Sequence, residues 1–197
     1  MVLAAALSAT PVHAEHQKAG RALLTFYWLI DESSPRYEGK RDSVLLDARG
    51  RVIARTHPRF RRDLVMEGGG RLLDGRTVMF HKRINGENRF RVSRSKYGID
   101  SRGCALQPWR TVAVDPRFVR LGSTVYIPQL KGAVLPDGTI HDGMFMANDR
   151  GHFRGAHVDI FVGSGPKGSR PFARKGYGSR SHVTVYVTNE RLRRDCH

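Results

Sequence analysis

The sequence predicts a mainly β protein, folded as a small barrel or sandwich. Three observations carry that expectation: short runs rich in β-branched and aromatic residues, glycine-ending turn dipeptides between them, and only brief stretches with helical signals. With 197 residues, 40% of them apolar, and no low-complexity tract, the chain has the length and composition for one main core.

The longest run, 23–30 (Leu-Leu-Thr-Phe-Tyr-Trp-Leu-Ile), is the first expected strand. Strands at 43–46 and 52–55 follow, split by Arg49-Gly50; those at 78–81 and 90–92 are split by Asn85-Gly86, a strong hairpin signal. Asp74-Gly75, Asp137-Gly138 and Asp142-Gly143 mark further turns. Beyond a composition shift near 97–106 come longer, buried-looking strands at 111–114, 124–127, 144–147, 158–162 and 183–188. Helical turns are expected at 59–66, at 171–175, and at 115–119, where Asp115 is placed to cap and Pro116 to open the first turn. The hairpin-rich stretch 40–97 reads as an insertion between the first strand and the rest. The run Gly68-Gly69-Gly70 lacks the Gly-Lys-Ser/Thr ending and following helix of a phosphate loop.

Lys and Arg number 34 against 18 Asp and Glu, a formal charge of +16 that draws the protein to a polyanion: nucleic acid, anionic lipid or an acidic wall polymer. The basic residues are dispersed, with no helix-turn-helix, zinc-finger or RNA-recognition signature, which argues against nucleic acid. Residues 2–12 are apolar and alanine-rich and end in Val12-His13-Ala14, a small-residue cleavage site; residues 1–14 therefore read as a truncated signal peptide and the protein as exported. No other segment approaches the roughly 20 apolar residues of a membrane-spanning helix, so no stable membrane insertion is expected. Cys104 and Cys196 are compatible with one disulfide in an oxidising compartment and with two ordinary small residues in a reducing one. Neither has a second Cys at metal-ligand spacing, so no metal and no cofactor is expected.

The densest stretch of the chain runs through Ala113-Val114-Asp115-Pro116, then 121–128, then Ala147-Asn148-Asp149-Arg150-Gly151, then Gly155-Ala156-His157-Val158-Asp159-Ile160-Phe161-Val162-Gly163. In this order and at these spacings the segments resemble the three-aspartate (3D) domain of the membrane-bound lytic transglycosylase A family and related bacterial wall proteins. The resemblance extends over about 21–190, more weakly through Thr25-Phe26-Tyr27, similar to the T-x-Y strand that faces the family's catalytic aspartate. It implies a six-stranded double-psi β-barrel at 21–190, with 40–97 inserted, 101–190 as the three-aspartate core and 191–197 as a tail. The three aspartates are then Asp115, Asp149 and Asp159. Where the family has Thr-Gly-Gly-Ala-Ile-Lys-Gly after the second aspartate, this chain has Arg150-Gly151-His152-Phe153-Arg154-Gly155.

Cleaving a glycosidic bond requires protonating the leaving oxygen, so one carboxyl must stay protonated well above its ordinary range. In an alternating strand Val158 and Ile160 point to the core and Asp159 to the opposite side, which places it on a groove wall, and Asp149 nearby supplies a second charge. The resemblance implies more: Asp159 acts as acid and then base, with Asp149 and Thr25 assisting, and the C6 hydroxyl of N-acetylmuramic acid closes a 1,6-anhydro ring without water. Substrate contacts are expected from Tyr27, Asp115, Arg150, Gly151 and Trp109, with Trp28 a further aromatic for stacking. Asp115 also has the simpler reading of a turn residue, and lone His152 and His157 that of surface loop residues. The expected partner is the peptidoglycan glycan strand. The alternative is a non-catalytic, expansin-like wall-binding module on the same barrel, which the altered segment 150–154 favours.

Overall fold

The computed structural model describes residues 15–193 and Cys196; the segment 1–14, read above as a signal peptide, lies outside the described residues. The elements run β1 (His16–Asp31), β2 (Ser43–Leu46), β3 (Val52–Thr56), α1 (Pro58–Glu67), β4 (Gly69–Arg71), β5 (Thr77–Ile84), β6 (Glu87–Ser93), β7 (Thr111–Val114), β8 (Ser123–Tyr126), β9 (Met144–Arg150), β10 (His157–Ser164), α2 (Arg170–Arg174) and β11 (His182–Thr188).

Hydrogen-bonded neighbours follow the order β10-β7-β9-β8-β11-β1, and β1 pairs again with β10, which closes six strands into a barrel. Closure removes the exposed edges an open sheet would leave. The barrel interior takes every second residue of its strands: Ala22, Leu24 and Phe26 from β1, Val158, Ile160 and Val162 from β10, Val183 and Val185 from β11. At roughly 1.5–3 kcal/mol for each fully buried large side chain, this layer holds the scaffold against which the outward-facing residues are fixed.

β1 is long enough to serve two sheets. Its far end, Ile30 and Asp31, leaves the barrel and pairs in parallel with Gly70 and Arg71 of β4, which continues antiparallel into β5 and β6. A second core of Ile30, Tyr37, Leu45, Phe60, Leu64, Leu72, Val78 and Phe90 packs between this sheet and α1. Asn85 and Gly86, both with positive φ, turn β5 into β6. α1 is capped by His57, whose Nδ1 accepts from Arg59 N–H, and stops at Gly68 in the left-handed region. The glycine run there is a packing device: a Cβ on Gly70 would meet Phe60 at 2.8 Å and Ile30 at 2.9 Å, so only glycine lets α1 lie this close to β4.

β1 differs from expectation in its start, and β4 falls where no strand was expected. β1 starts at His16 rather than 23, because Gln17 through Leu23 pair antiparallel with β11 although their polar sequence carries no strand signal. The helical turn expected at 115–119 is present as one hydrogen-bonded turn, in which Asp115 accepts at its carbonyl from Phe118 and Val119 N–H and at its carboxylate from Arg117 N–H. Cys104 and Cys196 form a disulfide.

Candidate active site in a cleft on the barrel wall

Asp159 sits where strand alternation puts it, on the outer wall of the barrel between buried Val158 and Ile160. The register places it in one row across four strands: Thr25 of β1 pairs with Asp159 of β10, Asp159 with Ala113 of β7, and Ala113 with Asp149 of β9. Simple alternation would send Asp149 inward, since Phe145 and Ala147 of the same strand lie in the core. The pairing of β7 with β9 shifts between Thr111 and Ala113, so β9 spends three residues where β7 spends two. That bulge turns Asp149 out to the face of Asp159, and the small side chain of Ala113 stands between them.

A cleft of about 1070 Å³ opens over this row. Its other walls come from β5, the end of α1 and residues 99–101, together with the loop 150–154. Met79 and Tyr27, which line the cleft, belong to a third apolar cluster with Leu106, Phe161 and Tyr97.

Thr25 Oγ1 donates to Asp159 Oδ1 at 2.7 Å. Burial pushes the Asp159 carboxyl up to about 6, with the Asp149 charge adding to the rise and the Thr25 hydrogen bond opposing it. Asp149 is held on all sides: Tyr27 hydroxyl donates to Oδ2 at 2.9 Å, while Ser101 N–H and hydroxyl and Arg150 N–H donate to Oδ1 at 3.0, 2.5 and 2.9 Å. Burial, and then the Asp149 charge, push the Tyr27 phenol well above its ordinary value, so it remains a donor. Tyr27 therefore serves Asp149 as a positioning group, its ring seated on Phe161 with centroids 5.2 Å apart.

The other predicted site residues divide. Arg150 and Gly151 line the cleft with Asp149 and Asp159. Asp115 lines it too, but both carboxylate oxygens are engaged: Arg117 holds one on each side and Gly155 N–H donates to Oδ2 at 2.7 Å. These bonds, the Arg117 side chain foremost, keep Asp115 far below the usual carboxylate range. Through Gly155 it anchors the end of the 150–155 loop. Trp109 is not brought to the cleft. It precedes β7 at the other end of the strand, with its N–H donated to Phe161 O at 2.8 Å, its indole N–H to Gly168 O at 2.8 Å, and His141 Nε2 2.6 Å from its carbonyl. Trp28 packs between the two larger cores.

Several residues in or beside the cleft were not among the predicted ones. Ser101 has no local sequence signal; the segment 97–106 reaches Asp149 only through tertiary packing. Glu67 ends α1 inside the cleft, where burial pushes it up to about 7 against the opposing Trp28 N–H. The unfavourable carbonyl end of α1, with no basic residue in its last turn, accompanies that rise. His157 is two residues from Asp159 and shares its face, a parity legible in the sequence. Its Nε2 is 2.7 Å from Thr25 Oγ1, and Phe153 stacks on its ring at 3.8 Å between centroids. Around the rim, Arg91, Arg150 and Arg154 form no salt bridge among the described residues. No group of three or more His, Cys, Asp or Glu is assembled to hold a metal ion among the described residues.

Residues 110–189 match the family model of the 3D domain. A search of curated proteins found no significant match. Among solved structures, the fold is similar to MltA from Escherichia coli, at 12% identity over 88% of this chain and 73% of that one, TM-score 0.52. It is similar to E. coli MltA with bound chitohexaose over the same shares, at 12% identity and TM-score 0.57. A membrane-bound lytic murein transglycosylase from Agrobacterium tumefaciens aligns at 16% identity, over 86% of this chain and 73% of that one, TM-score 0.53. Asp149 and Asp159 stand on β9 and β10 and Asp115 directly follows β7, which pairs with both; the chain thus carries a match to the 3D domain over residues 110–189 within a closed six-stranded barrel whose fold is similar to that of MltA-like lytic transglycosylases.

Proposed function

We propose that the protein is a peptidoglycan lytic transglycosylase that cleaves the β-1,4 bond between N-acetylmuramic acid and N-acetylglucosamine. The observation that supports this best is the Asp159 carboxyl on the wall of an open cleft, with one oxygen held by Thr25, Asp149 in the same row, and burial raising it to about 6. Protonated, it delivers its proton to the glycosidic oxygen as the C1–O bond breaks; ionised, it takes the proton of the C6 hydroxyl as that oxygen bonds to C1. The proton lost in the first half is regained in the second, and no water enters. Asp149, fixed by Tyr27 and Ser101, lies where negative charge favours the positive character that develops at C1. Arg150 and Gly151 border the sugar-binding surface. E. coli MltA, of similar fold, holds chitohexaose, which supports a glycan in this cleft.

The same proposal takes 21–190 as the barrel domain, with 40–97 inserted and 101–190 as the three-aspartate core. It takes the protein as exported to the periplasm or cell envelope, where the Cys104–Cys196 disulfide is maintained and a charge of +16 draws it to wall polyanions. No helix among the described residues is long and apolar enough to cross a membrane.

The test is incubation of the purified protein and an Asp159→Asn variant with isolated sacculi, with mass spectrometry of the soluble fraction. Anhydro-muramyl products from the wild type alone are expected, at a rate that falls as pH rises through about 6. Reducing-end products would show a hydrolase. Firm adsorption without release would show the wall-binding module instead.

A further inference from the structure

We propose that His157 is a positioning residue for Asp159: its Nε2–H, donated to Thr25 Oγ1, commits the Thr25 hydroxyl to Asp159 Oδ1 and leaves Oδ2 to exchange the catalytic proton. This inference rests on the reading of Asp159 given above.

Thr25 Oγ1 lies 2.7 Å from His157 Nε2 and 2.7 Å from Asp159 Oδ1. A hydroxyl has one proton to give and lone pairs to receive, so it cannot donate in both directions. If His157 carries its proton on Nδ1, bare Nε2 takes the Thr25 proton, and Oγ1 can meet Asp159 only by accepting Oδ1–H. The acidic proton would then be locked in an internal bond, and an ionised Asp159 would face an oxygen lone pair. If His157 carries its proton on Nε2, the Thr25 proton points at Oδ1 whether Asp159 is protonated or ionised. Only this second arrangement serves a group that must first give a proton and then take one. No described residue donates to Oδ2, which leaves it for the substrate.

The surroundings hold the ring for that task. Phe153 stacks on the imidazole at 3.8 Å with planes 21° apart, and burial pushes His157 below its ordinary range, so the neutral ring's tautomer decides the direction of the chain. Phe153 itself lies over Gly151, where any Cβ would overlap its ring. The stretch 151–157 is thus a seat for one imidazole, with Gly151 leaving room for the Phe153 ring where it stands.

The experiment is long-range ¹⁵N–¹H NMR on wild-type protein labelled at histidine, with His157→Gln used to assign its signals, alongside kinetics on sacculi for His157→Gln and His157→Ala. The expected tautomer carries its proton on Nε2. His157→Ala is expected to lower kcat on the order of tenfold with KM nearly unchanged. His157→Gln, whose amide N–H can replace the donor, should recover most of that loss. A proton on Nδ1, an unimpaired His157→Ala, or a His157→Gln no better than alanine would each overturn the assignment. If the wild type releases no glycan fragment, the functional reading falls, while the tautomer in the same sample still decides the hydrogen-bond assignment.

Discussion

Replacing Asp159 by asparagine should make the protein more stable at neutral pH while abolishing cleavage. Burial raises this carboxyl from its ordinary 3.8 to about 6. At ~1.4 kcal/mol per pH unit, its ionised form costs the fold up to about 3 kcal/mol. The side chain is only half-buried and asparagine keeps a weaker bond to Thr25, so the expected gain is about 1–2 kcal/mol, or roughly 3–6 °C in Tm for a domain of this size. Because the folded value lies above the unfolded one, the carboxyl's stabilising share is complete below 3.8 and is lost as pH rises through 6. The variant's advantage should therefore be small at pH 4, grow between pH 4 and 7, and then level off. Thermal and urea unfolding of both proteins at pH 4 and pH 7.5, with the disulfide intact, measures it. A variant no more stable than wild type at pH 7.5, or an advantage that shrinks with rising pH, would refute the claim that the cleft holds this carboxyl against its charge.

Tyr27→Phe removes the donor to Asp149 Oδ2; product release from sacculi should slow roughly tenfold, with a stability loss of about 1 kcal/mol, and an unchanged rate would remove Asp149 from the mechanism. Glu67→Gln should leave stability near pH 4.5 almost unaltered and raise it above pH 7 by roughly 1–2 kcal/mol after solvent screening, since burial holds this group up to about 7; pH-resolved melting checks the window. The disulfide closes a sequence separation of 92 residues and ties the C-terminus to the segment that carries Ser101. Replacing both cysteines by alanine should cost roughly 3–4 kcal/mol, about 10 °C in Tm, and a melting curve unmoved by the double substitution would refute it.

Much of the site was readable because strand periodicity is a local property. Val158 and Ile160 between them fix which way Asp159 faces, and Leu24 and Phe26 do the same for Thr25. The same parity sets His157 beside Asp159. Asp149 shows where that reasoning stops: a bulge is a mismatch between two strands, so it belongs to neither sequence alone. The polar start of β1 is a strand only because β11 is there to pair with it, and a tryptophan suited to stacking on a sugar, Trp109, instead packs against the barrel core with its indole N–H donated to Gly168 O.

By itself, then, the sequence determined a mainly β barrel or sandwich, most of its strands along the chain and the outward direction of Asp159, because alternation and turn chemistry are written in consecutive residues; the closed barrel and the place of Thr25 came from the family resemblance. Only the tertiary structure decided that Asp149 joins them, that Tyr27 and Ser101 hold it, that Asp115 is spent on Arg117 and Gly155, and that Cys104 meets Cys196. Those outcomes depend on register, closure and burial between segments far apart in the chain, and the desolvation that lifts Asp159 exists only once the cleft has closed around it.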